Sequence, residues 1–398
     1  IGTKPNTLAV SLYSDLILNE IWAKQRAEYG YRDVRPNPLL TIFAGQPYVD
    51  IRASFNSFLP EKLAKRTAKK LVNFCLDWLE KYPELHDKVE FDVIPTCYDL
   101  DFFRWESRFL SSGIFSKNEI ADIKESLLEI TNNAIDRNKE DLKNIEKLEK
   151  RFNEIEKSKL APLEKAFILL EDAKLYGTLP FSHLARSAFI AISFLRSAVS
   201  IGLISSDERD NFLNSIHTVS QDFTSDAGDC AKKKIKWSDF VRKYGHLRPG
   251  TYDITSPSYT KDPQSYLKPV IDRAKLIENS YDHKENTWQN AKEKFFKELN
   301  SVGIVGSNEQ LEEFIKSAIE GREYAKFSFT RNLSLALDNI EAWGKINNLD
   351  VEMLSHVSIE DLRMIKTGTI GVDQIIDTAK SNQEVAMRSK FIELPPLI

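Results

Sequence analysis

Helical periodicity over most of the chain is the feature that most limits the folds open to it. From residue 116 onward the pattern is helical almost throughout, and apolar side chains recur three and four residues apart at Ile145, Leu148, Phe152 and Ile155. Residues at that spacing lie on one face of a helix. We therefore predict an α-rich fold in which residues 116–162 form a projecting helical hairpin closed by Pro162.

Further helices are expected where the same period recurs between Gly, Pro or Ser-Asp signals. An N-terminal helix should cover residues 8–29 and end before Pro36-Asn37-Pro38. The other helices are predicted at 163–176, 181–202, 206–224, 234–244, within 264–345 and, after a polar break, at 370–390.

A short N-terminal region changes to the alternating pattern that is typical of strands. Residues 39–43 and 48–52 indicate two strands around the turn Ala44-Gly45-Gln46-Pro47, and residues 89–94 could join them as a third. The expected fold class is mainly α, an α-rich α+β protein with a multi-helix domain and a small β-sheet near the N-terminus.

The predicted organisation has four parts. Residues 1–115 should form a helix with the small sheet, 116–162 the hairpin, 163–345 a helical subdomain, and 346–398 C-terminal helices followed by the start of a linker. Because the chain begins without a methionine and stops in an extended Pro-containing stretch, we expect it to be part of a longer polypeptide.

Composition narrows the function classes. A net charge of −4, with 42% hydrophobic and 29% charged residues, is ordinary for a globular protein and gives no excess of Lys and Arg for nucleic acid or an anionic membrane. The three cysteines fit neither a disulfide framework nor a metal knuckle. No long apolar run or leader is evident, so a soluble, cytoplasmic protein is expected.

The most informative segment is the loop 244–263, where Gly and Pro interrupt the helical pattern. It carries an imidazole, a guanidinium, a phenol and a carboxylate at His246, Arg248, Tyr252 and Asp253. These groups could hold an anion. In the alternative, Asp253 pairs with Arg248 and His246 bonds a backbone carbonyl, which would make the loop merely structural.

A family resemblance favours the first interpretation. The matching residues are Tyr244-Gly245-His246, Pro249-Gly250, Asp253-Ile254, Ser256-Pro257 and Asp262-Pro263. They resemble the block YGHRGPGE-D-x-x-PRW-x-E-x-P of phosphoenolpyruvate-synthase-like, PEP-utilising dikinases, and are closest in pattern to the acceptor-binding middle region of rifampicin phosphotransferases. The sequence differs from that block at Leu247-Arg248, Thr251 and Ser258, which leaves the acceptor open.

Three further stretches resemble the same family. Residues 5–12 are similar to its TPL-x-x-S segment, residues 45–50 to its G-R-x-Y-x-N strand, and residues 321–326 to its RE-x-x-K helix.

The resemblance implies a relay between domains. In such enzymes an ATP-grasp domain uses ATP and magnesium to form a phosphohistidine from the β-phosphate, and a swivelling domain carries it to a small-molecule acceptor, with AMP and phosphate as co-products. This chain would bind the acceptor and would need those two domains of the same parent polypeptide, while itself holding no cofactor. Two alternatives remain: a carboxylate-activating, condensing or ligase-type relative, and a non-catalytic helical scaffold.

Within that scheme His246 would be the general base, since its ordinary pKa lies near neutral pH. Arg322 and Lys326 are one helical turn apart, with Glu323 beside them, and would orient and neutralise the phosphoryl group. Solvated ion pairing is the alternative for this trio. The expected substrate contacts of the loop are Arg248, Tyr252 and Asp253.

Other candidate residues rank lower. Arg331 follows Arg322 by half a helical revolution and should point away. An N-terminal group of arginines could line an anionic cleft or simply neutralise Asp33, Asp50 and Glu28; its members are Arg26, Arg32, Arg35 and Arg52.

The histidines suggest no other chemistry. Residues 177–186 superficially resemble a phosphohistidine motif around His183, but they lack its paired glycines and continue as helix, so a structural histidine is expected. No metal-ligand spacing surrounds His86, His217, His283 or His356, and no nucleotide-binding glycine motif occurs.

Overall fold

The computed structural model describes residues 1–276 and 287–398, and it confirms an α-rich fold with a two-stranded antiparallel sheet near the N-terminus. His283 lies outside the described residues. The N-terminal elements are α1 (Thr7–Tyr13), α2 (Ile21–Tyr29), β1 (Leu40–Phe43), β2 (Gln46–Val49), α3 (Ile51–Ser57), α4 (Lys65–Lys81) and α5 (Phe103–Ser112). The central elements are α6 (Lys117–Glu156), α7 (Pro162–Asp172), α8 (Leu179–Ser200), α9 (Ser206–Asn214), α10 (Val219–Ala231) and α11 (Trp237–Tyr244). The last are α12 (Pro263–Tyr266), α13 (Lys268–Leu276), α14 (Trp288–Ser301), α15 (Asn308–Ile346), α16 (Val351–Ser355), α17 (Ile359–Lys366) and α18 (Val372–Ser389).

The hairpin predicted over 116–162 is wrong, because one uninterrupted helix, α6, occupies most of that range. Ser116 and Glu119 form a reciprocal capping box at its start, and no Gly or Pro interrupts its 40 residues. Its apolar stripe is buried from Ile120 to Ile155. The chain turns only after that stripe, and Pro162 begins the next helix rather than ending this one.

A 39-residue helix, α15, is the central support of the fold. It packs against α6, α7 and α8, and its buried residues include Leu311, Ala325 and Leu337. Apolar cores lie on either side of its middle: the larger includes Leu311 and the second includes Leu337. Side chains near the middle of α15 are therefore held on a rigid element.

The predicted separation of two helices between residues 176 and 181 is also wrong. A π-helical turn, Ala173–Thr178, connects α7 to α8 without a break, and Pro180 is the second residue of α8. The continuous stretch Pro162–Ser200 is long and apolar enough to cross a membrane. However, 67% of its most apolar window is buried in the protein, which is typical of a core helix.

The small sheet is confirmed, but its second strand is Gln46–Val49 rather than 48–52, because Asp50 caps helix α3, which begins at Ile51. β1 and β2 pair in antiparallel register from Leu40↔Val49 to Phe43↔Gln46. Ala44 and Gly45 form the connecting turn with φ values of 47° and 74°, the left-handed geometry that tight hairpins need. The predicted third strand is wrong, because Val89–Val93 is a π-helical turn. The alternating pattern gave the wrong prediction there because Phe91 stacks on Phe189 of α8, with ring centroids 4.2 Å apart.

Helix boundaries differ in three other places. A π-helical turn, Ser14–Leu18, divides the N-terminal helix, and residues 215–218 separate α9 from α10. The expected polar break before residue 370 contains the short helices α16 and α17, which start at the side-chain caps Asp350 and Ser358. The four-part organisation stays a prediction, although the larger apolar core draws residues from 1–115, 116–162 and 163–345.

Candidate anion-binding pocket

The loop after α11 is held by its own backbone. Thr260 N–H donates to the Gly245 carbonyl at 2.8 Å, and Tyr259 N–H donates to the Leu247 carbonyl at the same distance. Gly245 has an ordinary negative φ, but a Cβ there would overlap the Val241 carbonyl and the Thr260 side chain. Only glycine therefore allows the two ends of the loop to approach so closely.

Arg248 fastens this loop to α15. Its buried guanidinium donates to the Ser334 hydroxyl at 2.9 Å, to the Ser334 carbonyl at 3.0 Å and to Asp338 Oδ1 at 2.6 Å. A fourth hydrogen bond, of 2.9 Å, reaches the Ser256 carbonyl within the loop. Because all these bonds are internal, Arg248 shapes the pocket wall rather than offering a free charge.

The loop, α10 and α15 together enclose a pocket of about 480 Å³. Its apolar wall is aromatic and includes Phe223, Tyr244, Tyr259 and Phe327. The Tyr244 ring lies edge-on to Phe223, with centroids 4.8 Å apart, and Tyr244 O–H donates to Asp226 at 2.8 Å. These fixed rings form a preformed surface for the apolar body of a ligand.

Helix α15 supplies the polar wall of the pocket. Arg322, Glu323 and Lys326 all line it; both cations are exposed and the carboxylate is half-buried. Within the described parts of the chain, none of these three side chains makes an ion pair or a hydrogen bond. Two positive charges one helical turn apart are therefore available to an anionic ligand.

His246 lies in the same pocket with its ring against Phe327, centroids 4.5 Å apart. Both ring nitrogens are shielded from solvent, and neither has a hydrogen-bond partner among the described residues. Burial, reinforced by the positive charge of Arg331, lowers the pKa of His246 to about 4, although the nearby backbone of Phe327 and Lys243 acts in the opposite direction. The imidazole is therefore neutral at pH 7 and keeps one nitrogen able to accept a proton.

Arg331 does not line the pocket, as its position half a revolution from Arg322 predicts. Its guanidinium lies over Phe152, 4.3 Å from the ring centroid, and 3.7 Å from Glu149. Its influence on the pocket is electrostatic, through the pKa of His246.

Two further residues predicted to contact substrate lie outside the pocket lining. Tyr252 is buried against Tyr13, with ring centroids 5.3 Å apart, and burial raises the pKa of its phenol. Asp253 Oδ1 accepts hydrogen bonds from the Thr255 N–H at 3.0 Å and the Thr255 hydroxyl at 2.8 Å, a local turn. The suggested Asp253–Arg248 pair is absent from the described residues, since Arg248 pairs with Asp338 instead.

The N-terminal arginines do not gather in one cleft. Arg26 is buried over Phe58 with its guanidinium 3.7 Å from the ring centroid, Arg32 donates to the Leu63 carbonyl at 2.6 Å, and Arg35 pairs with Asp33 on the surface. Arg52 is exposed on α3. Three of the four arginines, Arg26, Arg32 and Arg35, thus each have a separate partner.

His183 is a structural histidine, as its helical context predicts. It is 1% exposed, its Nδ1 lies 2.8 Å from Asp141 Oδ1, and its Nε2 lies 3.1 Å from Glu28. Both ring nitrogens therefore lie against acidic side chains rather than open solvent.

Sequence reasoning found the charged residues of the pocket but missed its aromatic wall. The missed residues of α15, Phe327 and Ser334, lie four and eleven residues after Glu323 and so on the same helix face, which the sequence pattern could have shown. The contribution of α10, including Phe223, had no such signal because its position depends on tertiary packing.

The fold and this site define a helical protein with a preformed cavity that combines aromatic walls with two cationic side chains that are unpaired among the described residues. No protein-family model matches the chain, and no curated protein is detectably similar to it. No group of three or more His, Cys, Asp or Glu among residues 1–276 and 287–398 could hold a metal ion.

Proposed function

We propose that this chain is the acceptor-binding region of an ATP-dependent phosphotransferase that relays a phosphoryl group through a phosphohistidine, similar to phosphoenolpyruvate synthase. The observation that carries the proposal is the convergence of His246 with Arg322 and Lys326, about 80 residues away in sequence, around one pocket of about 480 Å³. Chain segments that resemble two separate motifs of that family therefore line the same cavity.

The pocket offers what phosphoryl transfer requires of an acceptor site. The aromatic wall would pack the organic part of the acceptor, while Arg322 and Lys326 would attract the incoming phosphoryl group and offset charge in the transition state. His246 would accept the proton that leaves the acceptor hydroxyl as its oxygen bonds to phosphorus, while the donor histidine, on another domain, is released.

The lowered pKa of His246 modifies its role. With a pKa of about 4 the free imidazole is a weak base, although it is always unprotonated at neutral pH. A bound anion stabilises the imidazolium and raises this pKa toward the working range. Arrival of the phosphoryl group would thus strengthen the base when it is needed.

The test uses the full-length parent enzyme with ATP labelled at its β-phosphate and a panel of hydroxyl acceptors. We expect His246→Gln to keep labelled phosphohistidine and to slow label transfer to the acceptor by about 100-fold or more. The matched control, His86→Gln, changes a surface histidine and should transfer normally. Undiminished transfer by His246→Gln would overturn the role of this residue.

The product distinguishes the competing chemistries. A phosphorylated acceptor, with release of AMP and phosphate, supports the proposal. An adduct of two small molecules that retains no phosphate would replace it with a ligase-type reaction, and a parent polypeptide that forms no phosphohistidine would leave only a scaffold.

A further inference from the structure

A second, smaller pocket of about 120 Å³ lies between the C-terminal half of α8 and the segment that leads into α5. It shares no lining residue with the pocket that contains His246. Since one water occupies about 30 Å³ in the liquid, the space suits a polar ligand of about four to seven non-hydrogen atoms.

Two buried carboxylates face this space. Asp99 is 8% exposed and Asp101 is 7% exposed, and neither makes an ion pair with any described residue. Asp101 accepts a hydrogen bond from the Ser200 hydroxyl at 2.8 Å, and the one described donor to the Asp99 side chain is the Asp101 N–H at 3.1 Å. Burial raises the pKa of Asp99 to about 6, although the positive charges of Arg104 and Arg196 act in the opposite direction.

Two guanidiniums line the same space without pairing with these carboxylates. Arg196 stacks over Phe91, 4.0 Å from the ring centroid, and has no acidic partner in the described ranges. Arg104 pairs with Asp92 at 3.6 Å and donates to the Phe91 carbonyl at 2.8 Å, while its Nε is buried and unbonded among those residues. Charges of both signs thus line one cavity, and the described residues form no ion pair between them.

We propose that this pocket binds the zwitterion of a small α-amino acid, of the size of glycine, alanine or serine. The ammonium group would lie at Asp99 and Asp101, and the carboxylate would lie at Arg196 and Arg104. Such a ligand supplies both carboxylates and Arg196 with a partner of opposite sign, adds to the ion pair that Arg104 already makes with Asp92, and fits the volume. A metal ion would satisfy the carboxylates alone and would meet two positive charges.

The experiment is calorimetric titration of the full chain with glycine, alanine and serine, and with methylammonium and acetate, which each carry one end of the zwitterion. We expect saturable one-to-one binding of at least one amino acid and binding at least tenfold weaker for both one-ended ions. No saturation with any of the three amino acids, or equal binding of a one-ended ion, overturns the proposal.

Variants connect the binding to this pocket. Asp99→Asn and Arg196→Gln should each weaken amino-acid binding about tenfold or more, because each removes a charge-assisted contact. Asp87→Asn removes an exposed carboxylate outside the pocket and should leave affinity unchanged. Arg196 is exposed, so Arg196→Gln should fold and remains a valid test even if Asp99→Asn fails to fold. Wild-type affinity in Arg196→Gln overturns the assignment.

Discussion

Arg248 and Asp338 are 90 residues apart in sequence, and the Arg248 guanidinium donates to the Asp338 carboxylate at 2.6 Å. This contact fixes the loop 244–263 to the central helix α15 and so sets the width of the pocket. The carboxylate has a second cation within reach, since Lys261 of the same loop lies 3.2 Å away. The position of His246 therefore depends on a charged anchor rather than on apolar packing alone.

Removing that anchor should destabilise the protein strongly. Arg248→Ala deletes four internal hydrogen bonds of a buried side chain, and we expect the free energy of unfolding to fall by about 2–4 kcal/mol. Urea unfolding at pH 7 measures the change. Arg242→Ala, which truncates an exposed arginine on α11, is the control and should shift stability by less than about 0.5 kcal/mol. Similar effects of the two substitutions would contradict an anchoring role.

Arg322 and Lys326 should matter for ligand binding and little for stability. Arg322→Gln and Lys326→Met are each expected to weaken the binding of inorganic phosphate about tenfold, the effect of losing about 1.4 kcal/mol of charge-assisted contact. Thermal unfolding should be nearly unchanged because both side chains are exposed. Lys297→Met, on α14, removes an exposed charge outside the pocket as a control. Phosphate titration followed by NMR measures the binding. Wild-type affinity in both Arg322→Gln and Lys326→Met would refute the site.

The sequence predicts most of this fold where local signals agree. A left-handed turn specifies the β1–β2 hairpin. A serine cap, an unbroken apolar stripe and the absence of Gly and Pro favour one continuous α6, and the wrong prediction of a hairpin there overlooked these signals. Other wrong predictions arise where one local sequence pattern is compatible with two different structures. Alternation at 89–94 also suits a π-helical turn packed on Phe189, and Gly177 with Pro180 also suits a bulged but continuous helix.

The candidate site divides in the same way. The sequence identifies His246 in the loop and Arg322 and Lys326 on one helix face as candidate residues, and all three line one pocket. Tyr252 and Asp253 carry equally suitable chemistry, yet neighbours within reach engage them: Tyr13 covers the phenol and Thr255 occupies the carboxylate. Sequence spacing does not report such partners, because they follow from tertiary packing.

His246 should make stability depend on pH in a defined direction. Its pKa is about 4 in the folded chain against an ordinary 6.5, so between these values the unfolded chain binds more protons and stability falls as pH falls. From pH 7 to pH 5 this group alone should remove about 2 kcal/mol from the free energy of unfolding. In His246→Gln that part of the decrease should vanish, whereas His86→Gln should keep the wild-type pH dependence. Parallel pH profiles for wild type and His246→Gln would show that the buried imidazole is not held neutral.

Gly245 offers the sharpest test of loop geometry, since the chain provides a matched glycine. In Gly245→Ala the new methyl group would overlap the Val241 carbonyl and the Thr260 side chain, so we expect a loss of about 1–3 kcal/mol and weaker phosphate binding. Gly228 lies inside α10 with no atom within 4 Å of an added Cβ. Gly228→Ala should therefore stabilise the protein by about 0.5–1 kcal/mol through helix propensity. If the same Gly→Ala change lowers the free energy of unfolding at position 245 and raises it at position 228, the loss follows from the close approach of the loop ends. If Gly245→Ala changes neither stability nor phosphate binding, the loop can open without disturbing the pocket.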